Sequence, residues 1–222
     1  FGIRLLSIYG STESSPHSLV RLNDTREHTE ETDGCAVDGV EIRVVDDNRH
    51  EVPHGQEGEE ASRGPQVFVG YWGEPEMTAR ALDADGWYYS GDYCRTDSEG
   101  RYIRITGRKK DIIVRGGENI SSREVEDIVL EYPGVREAAV VAMPDERLGE
   151  RSCACVSMRP GAPAMHLTDL VAFFDGRRVA KYKFPEYLVV LDALPRTSSG
   201  KLQKFALARM VRERVAAGQP SD

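Results

Sequence analysis

The feature that most limits the possible folds is a change of pattern at the charged run Gly107-Arg-Lys-Lys-Asp111. Before it, between Val40 and Val69, short alternating apolar runs are interrupted by glycine and proline, as in small antiparallel β-structures. After it, runs with helical and strand spacing alternate. The sequence therefore predicts an α+β chain in two parts: a β-rich, barrel-like part over residues 1–106 and a compact α+β domain over residues 107–222.

Local patterns predict individual elements in the first part. Residues 3–8 have the pattern of a short buried strand that ends at a glycine turn. The polar segment 22–34 is typical of a surface loop, and residues 74–82 have the pattern of a short helix. Further strands are predicted over residues 86–92 and 100–106, and the second part begins with a strand over 112–114.

The first predicted helix of the second part is preceded by a helix-capping signal. Ser121-Ser-Arg-Glu124 has the form of a capping box, in which the serine accepts from an early helix amide and Glu124 reaches back. Helix-spaced apolar residues follow until Pro133-Gly134, which ends the helix. Beyond it, strands are predicted over 135–143, 152–158 and 187–191, and helices over 168–178 and 203–217.

Composition excludes several classes of protein. The chain has 222 residues, 40% of them hydrophobic, which is enough for one or two sizeable cores. A net charge of -8 with both signs plentiful argues against a nucleic-acid or membrane-surface partner. No apolar run approaches the roughly 20 residues that span a bilayer. The four cysteines fit no common zinc spacing and are expected to be buried or half-buried reduced thiols. A cytoplasmic enzyme is expected, and Phe1 suggests that an upstream segment is missing.

Two short motifs in the first part have residues suited to a nucleotide. Tyr9-Gly-Ser-Thr-Glu13 follows the first predicted strand, and such a turn can bring amides and a hydroxyl to a phosphate, with a carboxylate for Mg²⁺. In Tyr89-Ser-Gly-Asp92, the aspartate can accept hydrogen bonds from two vicinal hydroxyls. Each motif alone is equally typical of a polar turn, and Thr12 could simply cap a helix.

Two further motifs lie in the second part. Gly107-Arg-Lys-Lys-Asp111 leads into Val114-Arg-Gly-Gly-Glu-Asn-Ile120, where paired glycines leave the backbone bare; it is not a phosphate-binding Walker loop. Leu194-Pro-Arg-Thr-Ser-Ser-Gly-Lys201 presents a lysine at the end of small, flexible residues, so that its charge can reach a carboxylate or phosphate. A solvated charge run and a surface lysine are the plain alternatives.

In this order, the four motifs resemble the adenylate-forming superfamily of acyl- and aryl-CoA synthetases, luciferases and peptide-synthetase adenylation domains. The resemblance runs from Tyr9 to about Ala208. The runs Gly116–Ser121 and Leu148–Cys153 are most like those of medium-chain or alicyclic acyl-CoA synthetases and of dihydroxybenzoate-activating enzymes. It implies ATP, Mg²⁺ and CoA as cofactors and a carboxylic acid as substrate. Connecting pieces share it: Arg63-Gly-Pro-Gln-Val-Phe-Val-Gly-Tyr71, Asp85-Gly-Trp87 and Lys181-Tyr-Lys-Phe-Pro185.

The resemblance implies roles for five residues that would bind the nucleotide. Tyr9 would stack near adenine, and Asp92 and Arg108 would bind the ribose hydroxyls. Thr12 would touch phosphate and Glu13 would hold Mg²⁺. These assignments would make the first part the remainder of a large nucleotide-binding domain.

The resemblance also implies roles in a small mobile domain. Lys110 would be the hinge about which this domain turns between two poses. Gly116 and Gly117 would line the pantetheine tunnel during thiol transfer. Lys201 would bridge the substrate carboxylate and the α-phosphate during adenylation, so that it counts with Thr12 and Glu13 as catalytic.

The sequence departs from the family pattern in two places. The family's earlier phosphate loop, rich in serine, threonine and glycine and ending in lysine, is absent from the sequence, and the missing N-terminal part of the enzyme would supply it. The family usually has apolar residues where Glu60, Ala61 and Ser62 stand, which leaves a strand there in doubt. Two alternatives stay open: a carrier-protein pantetheine as acceptor in place of CoA, or, for this chain alone, an inactive nucleotide- or CoA-binding domain.

Overall fold

The computed structural model describes residues 3–216, and two compact units meet in the sequence between Lys109 and Lys110. The sequence pattern puts the boundary slightly earlier, after residue 106. The first unit is mainly β-structure and the second combines helices with one sheet. The predicted end of the last helix at Ala217 and Gly218 lies outside the described residues, as does Phe1.

The first unit contains two antiparallel sheets, with strand orders β1-β2-β3 and β4-β5-β6-β7. An isolated bridge between Cys35 and Tyr102 connects them. Within residues 3–109 no pairing joins the outer strands into a closed barrel, so the barrel-like expectation reduces to a mixed α+β unit with open sheets. The strands are β1 Ile8–Ser11, β2 Ser15–Leu19, β3 Cys35–Ala36, β4 Glu41–Val45, β5 Gly58–Arg63, β6 Tyr88–Thr96 and β7 Ile103–Arg108; the helices are α1 Arg26–Glu31 and α2 Pro75–Ala81.

Two predictions in the first unit are wrong. Residues 3–7 form no strand, and Ile3 and Leu5 are 77% and 85% exposed, because no neighbouring strand pairs with them. The supposed loop 22–34 contains α1, whose first turn is capped by Thr25: its side-chain oxygen accepts from the His28 amide at 3.1 Å. A threonine at this position supplies the cap that a short polar helix needs.

The second unit is built on a five-stranded sheet of order β10-β11-β8-β9, with β12 pairing parallel to β11. The long antiparallel pair β10–β11 forms its centre. A 3₁₀ turn covers Lys109–Asp111 and another covers Lys181–Lys183. The strands are β8 Ile112–Arg115, β9 Glu118–Ser121, β10 Val135–Asp145, β11 Gly149–Met158 and β12 Tyr187–Val190; the helices are α3 Ser122–Leu130, α4 Leu167–Asp175 and α5 Lys204–Ala216.

Apolar side chains pack on both faces of this sheet. Helices α3 and α4 bury residues such as Val125 and Phe174 in one cluster, while α5 packs Leu207 in another with Cys153 and Cys155. The two cysteines are separated by one residue on the strand, so their side chains lie on the same face of the sheet. Their burial is as predicted. No helix among residues 3–216 combines the length and the apolarity that crossing a membrane would demand.

At the start of α3, the serine half of the predicted capping box is present. Ser121 Oγ accepts from the Glu124 amide at 3.4 Å, so the serine is the N-cap. The Glu124 carboxylate accepts two hydrogen bonds from Lys183 Nζ, at 2.6 and 2.8 Å. The cap is therefore local, while the glutamate also ties the helix to the second 3₁₀ turn.

Candidate functional site

Three predicted nucleotide-binding residues lie together in the first unit. The Tyr9 hydroxyl on β1 donates to Asp92 Oδ2 on β6 at 2.9 Å. Arg108 on β7 lies directly opposite Asp92 in the sheet register, and its Nε is 3.2 Å from Asp92 Oδ1. The carboxylate is thus held by a side chain from each sheet, although these residues are far apart in sequence.

The backbone around Asp92 is fixed as well. Ser90 Oγ accepts from the Asp92 amide at 3.1 Å and donates to the Glu60 carbonyl at 3.0 Å. Gly91 has φ 72, and its amide donates to Glu59 Oε1 at 3.0 Å. Asp92 is 15% exposed and Arg108 59%. Each carboxylate oxygen can accept a second hydrogen bond, so the group can bind a pair of hydroxyls while keeping its present partners.

The electrostatics keep Tyr9 a hydrogen-bond donor. Burial raises the pKa of Tyr9 well above its ordinary value of 10.0, and the nearby Glu60 and Asp92 carboxylates raise it further. A phenol that stays protonated continues to donate to Asp92. The Tyr9 hydroxyl can therefore donate to Asp92 at physiological pH and well above it.

Thr12 and Glu13 lie in the turn between β1 and β2, with Thr12 exposed and Glu13 half-buried. Thr12 does not cap a helix, because the chain continues into a hairpin strand. Glu13 Oε1 accepts from the Tyr71 hydroxyl at 2.9 Å, and burial together with this bond raises the pKa of Tyr71 to about 12. No group of three or more potential ligands within residues 3–216 could hold a metal ion. Glu13 still fits Mg²⁺, which often takes one or two carboxylates alongside substrate phosphates.

The segment before Lys201, expected to be small and flexible residues, forms a hydrogen-bonded turn in the structure. Thr197 Oγ1 accepts from the Lys201 amide at 3.0 Å, and the Thr197 amide donates to the Lys201 carbonyl at 2.8 Å. The Arg196 guanidinium donates to the Gly200 carbonyl at 2.7 Å and pairs with Glu137 on β10. Lys201 itself is exposed, so a fixed turn presents a free charge.

Lys204, three residues later, was missed by the sequence analysis. Its Nζ lies 2.7 Å from Glu126 Oε1, 3.0 Å from Ser122 Oγ and 3.6 Å from Asp111 Oδ2. It fastens the start of α5 to α3 and to the segment beside Lys110. The available signal was a second lysine at the start of a helix, which cannot reveal its partners.

Gly116 and Gly117 form the turn between β8 and β9, with φ values of 60 and 90. A Cβ at Gly116 would meet Leu148 Cδ2 at 3.3 Å, whereas one at Gly117 would meet nothing within 4 Å. The backbone at Gly117 is therefore open to an approaching ligand. Lys110 is exposed within the first 3₁₀ turn.

A buried polar cluster in the first unit was also missed as such. Glu60 and Ser62 stand in β5, and the sequence analysis noted only that they are unusual there. Both are fully buried with His17 of β2, whose Nδ1 is 3.0 Å from Glu60 Oε1. No sequence signal connects His17 to Glu60, because the contact arises from the packing of two sheets.

Two family profiles match the chain. That of the AMP-binding enzyme matches residues 1–72, and that of the AMP-binding enzyme C-terminal domain matches residues 124–201. The medium-chain fatty-acid–CoA ligase of Escherichia coli (strain K12) is 64% identical over 214 residues, covering 96% of this chain and 38% of the relative. The 2,3-dihydroxybenzoate-AMP ligase of Bacillus subtilis (strain 168) is 38% identical over 219 residues, covering 98% of this chain and 40% of the relative.

Solved structures agree with these relatives. ATP-bound MatB from Rhodopseudomonas palustris superimposes with a TM-score of 0.88 at 34% identity, covering 96% of this chain and 41% of that one. The o-succinylbenzoate CoA synthetase MenE from Bacillus subtilis, in complex with its acyl-adenylate intermediate, gives 0.83 at 29% identity, covering 93% and 41%. The chain thus spans about two fifths of the length of the relatives it matches. It belongs to the adenylate-forming superfamily of AMP-binding enzymes.

Proposed function

We propose that this chain is the C-terminal part of an ATP-dependent, AMP-forming acyl-CoA synthetase that activates a medium-chain fatty acid. The 64% identity to a medium-chain fatty-acid–CoA ligase carries the proposal. The cluster of Tyr9, Asp92 and Arg108 supports it, because these residues lie together as nucleotide binding would require. ATP and CoA are cytoplasmic metabolites, and the free thiols are compatible with that compartment.

In the first half-reaction, Asp92 would accept hydrogen bonds from the ribose hydroxyls while Tyr9 packs near adenine. Arg108, beside Asp92, would also bind the ribose hydroxyls. Thr12 would contact phosphate and Glu13 would hold Mg²⁺, which when bound would offset the phosphate charge. These residues bind and orient ATP, and none forms a covalent intermediate.

Lys201 would act where the two substrates meet. The fatty-acid carboxylate attacks the α-phosphorus, the bond to the leaving pyrophosphate breaks, and an acyl-adenylate forms. Negative charge crowds at the α-phosphate during attack, so an ammonium presented by a fixed turn stabilises that state. The Arg196 and Thr197 contacts to this turn support such a role, because they reduce the reorganisation that attack would require.

In the second half-reaction, the CoA thiol attacks the acyl carbon and AMP leaves. We assign Gly116 and Gly117 to the pantetheine path, because the backbone at Gly117 is open to close approach. Lys110 would be the hinge of a small mobile domain, residues 107–222. The open sheets of residues 1–106 would complete a barrel-like region of the large domain with the preceding part of the enzyme.

A second candidate keeps the chemistry and changes the acceptor. The 38% identity to a 2,3-dihydroxybenzoate-AMP ligase favours an aryl acid as substrate. In this candidate the acceptor would be a carrier-protein pantetheine. The chain by itself could also be a non-catalytic nucleotide- or CoA-binding domain. Comparing thioester formation with free CoA and with a pantetheinyl carrier protein separates the acceptors.

The test uses a full-length fusion: this chain placed behind the residues that precede the matched region of the Escherichia coli ligase. With ATP, decanoate and CoA, the fusion should form decanoyl-CoA and AMP in equal amounts. The Lys201→Ala fusion is the matched control and should be slow. Turnover with a carrier protein but not with CoA would favour the second candidate, and ATP-dependent turnover with neither would contradict the proposal.

A further inference from the structure

A fully buried polar cluster lies behind the candidate nucleotide site. His17 Nδ1 is 3.0 Å from Glu60 Oε1, and both side chains are 0% exposed. Ser62 Oγ lies 3.3 Å from the same His17 nitrogen and 3.3 Å from Ser14 Oγ. We call these four residues the His17–Glu60 cluster. It connects β2 and the turn before it to β5 of the other sheet.

This cluster is a costly way to fill a core. Removing an ionisable pair from water costs several kcal/mol, and apolar residues of similar volume are often as stabilising or more so. His17 Nε2 and Glu60 Oε2 make no hydrogen bond to the described residues, which adds to the cost. Apolar side chains are the residues expected at positions 60 and 62. Stability alone therefore does not account for the cluster.

The cluster contacts the nucleotide-site residues through side chains. The His17 ring packs edge-on against the Tyr9 ring, with centroids 5.1 Å apart, and against the Tyr88 ring at 6.1 Å. The Tyr9 hydroxyl in turn donates to Asp92. Because the two rings are in edge contact, a rotation of the imidazole would displace the Tyr9 ring and, with it, the hydroxyl that donates to Asp92.

A backbone route reaches the same aspartate. The Glu60 carbonyl accepts from Ser90 Oγ, and that oxygen accepts from the Asp92 amide. Glu60 thus faces the site from both its side chain and its backbone. A hydrogen-bonded pair restricts the orientation of an imidazole more than apolar packing does, since hydrogen bonds are directional.

We propose that His17 and Glu60 are positioning residues that orient Tyr9, and through it the Asp92 carboxylate, for the nucleotide. The inference rests on the proposed function. It predicts that replacing the pair by apolar residues preserves or raises the stability of the protein while lowering its affinity for ATP. If the pair were only structural, stability and ATP affinity would fall together.

The experiment measures the ATP dissociation constant by calorimetry and the melting temperature of the full-length fusion. The main variant combines His17→Phe with Glu60→Leu. It should raise the ATP dissociation constant about tenfold, the effect of misaligning one charge-assisted hydrogen bond, with no fall in melting temperature. The single variant Glu60→Gln keeps a hydrogen-bond acceptor for His17. It should therefore bind ATP nearly as tightly as the wild-type fusion. His50→Phe, at a histidine that is 80% exposed in the same unit, is the control and should change neither quantity.

A double-mutant cycle with Tyr9→Phe locates the effect. If the pair acts through the Tyr9 hydroxyl, the main variant should weaken ATP little further once that hydroxyl is gone. Full additivity, or an unchanged dissociation constant in the main variant, would overturn the inference. Should the main variant not fold, Ser62→Ala decides: it removes one His17 contact and should weaken ATP about threefold, so unchanged binding overturns the inference.

The proposed function fails separately. A wild-type fusion that binds ATP but forms no thioester contradicts the proposed function and leaves the positioning result to be read from binding. A wild-type fusion that does not bind ATP contradicts both.

Discussion

At the residue scale, Asp92, the proposed ribose-binding residue, is held in place by neighbouring side chains. Its two carboxylate oxygens are held by Tyr9 and Arg108, and its amide by Ser90. The carboxylate therefore loses little freedom when hydroxyls bind. Preorganisation of this kind raises affinity by lowering the entropy that binding costs.

Replacing the Asp92 carboxylate should weaken the binding of ATP. In the full-length fusion, Asp92→Ala should raise the KM for ATP about tenfold or more, since hydrogen bonds to a charged group contribute roughly 1.5–3 kcal/mol. Steady-state kinetics with ATP varied gives the measurement. Asp38→Ala is the control, because Asp38 is 92% exposed and pairs only at the surface with Arg21. An unchanged KM and kcat would remove Asp92 from the site.

Lys201 and Gly117 should affect different half-reactions. Lys201→Ala should slow adenylation by roughly 10²-fold, the loss expected for one transition-state donor. It should spare thiol transfer from supplied acyl-adenylate. Gly117→Trp should do the opposite, because a bulky side chain would obstruct the pantetheine while the space around it is open.

The glycine substitution needs a matched control, because φ 90 at Gly117 strains any side chain. Gly161→Trp supplies it: Gly161 has φ 80, and a Cβ there would also meet nothing within 4 Å. Both half-reactions and a melting curve are measured for each variant. Parallel loss of both activities with stability would show that the two residues are structural.

At the scale of elements, the Lys201 turn depends on an ion pair between Arg196 and β10. The Arg196 guanidinium lowers the pKa of Glu137 below its ordinary value of 4.5, and the Ser157 hydroxyl adds to the effect. A carboxyl with a lowered pKa stabilises the fold above its unfolded pKa. That contribution is lost as the pH falls through the folded value.

The pH dependence of this pair can be measured directly. Glu137→Gln should lower the free energy of unfolding at pH 7 by roughly 0.2–1 kcal/mol, the range for a half-exposed pair. The difference from wild type should shrink as the pH falls below about 4.5. Urea titrations of both proteins across this range provide the test. A difference that persists at low pH would mean that packing, and not charge, accounts for the effect.

At the scale of the whole molecule, the chain covers only 38% of the Escherichia coli ligase and 41% of MatB. The family's phosphate loop is not in this sequence. Binding residues for ribose and adenine can therefore be present without the groups that hold the remaining phosphates. We therefore expect nucleotide binding and catalysis to be separable when the chain is tested alone.

The isolated chain should not form acyl-adenylate at a useful rate. Exchange of labelled pyrophosphate into ATP, with decanoate present, measures this step directly. The full-length fusion, at equal concentration, is the positive control. Exchange by the isolated chain at the rate of the fusion would contradict the prediction and place all catalytic groups within these 222 residues.

Interactions between near neighbours could be predicted from the sequence. The Ser121 cap and the end of α3 depend on residues a few positions apart, so their signals are local. The motifs around Asp92 and Lys201 likewise identified candidate residues, though not their contacts. Predictions failed where an element depends on its neighbours in the fold. Residues 3–7 have the pattern of a strand but lack a partner strand.

The motif order, the α+β class and most helices could be predicted from the sequence, because periodicity, caps and turn residues act over short distances. Which distant residues meet became known from the three-dimensional packing. Sheet and helix packing brings Tyr9 into contact with Asp92, Lys204 with Glu126, and His17 with Glu60. Glu60 looks out of place in a strand until that packing supplies its partner, because a buried carboxylate is tolerable only beside a group that can bind it.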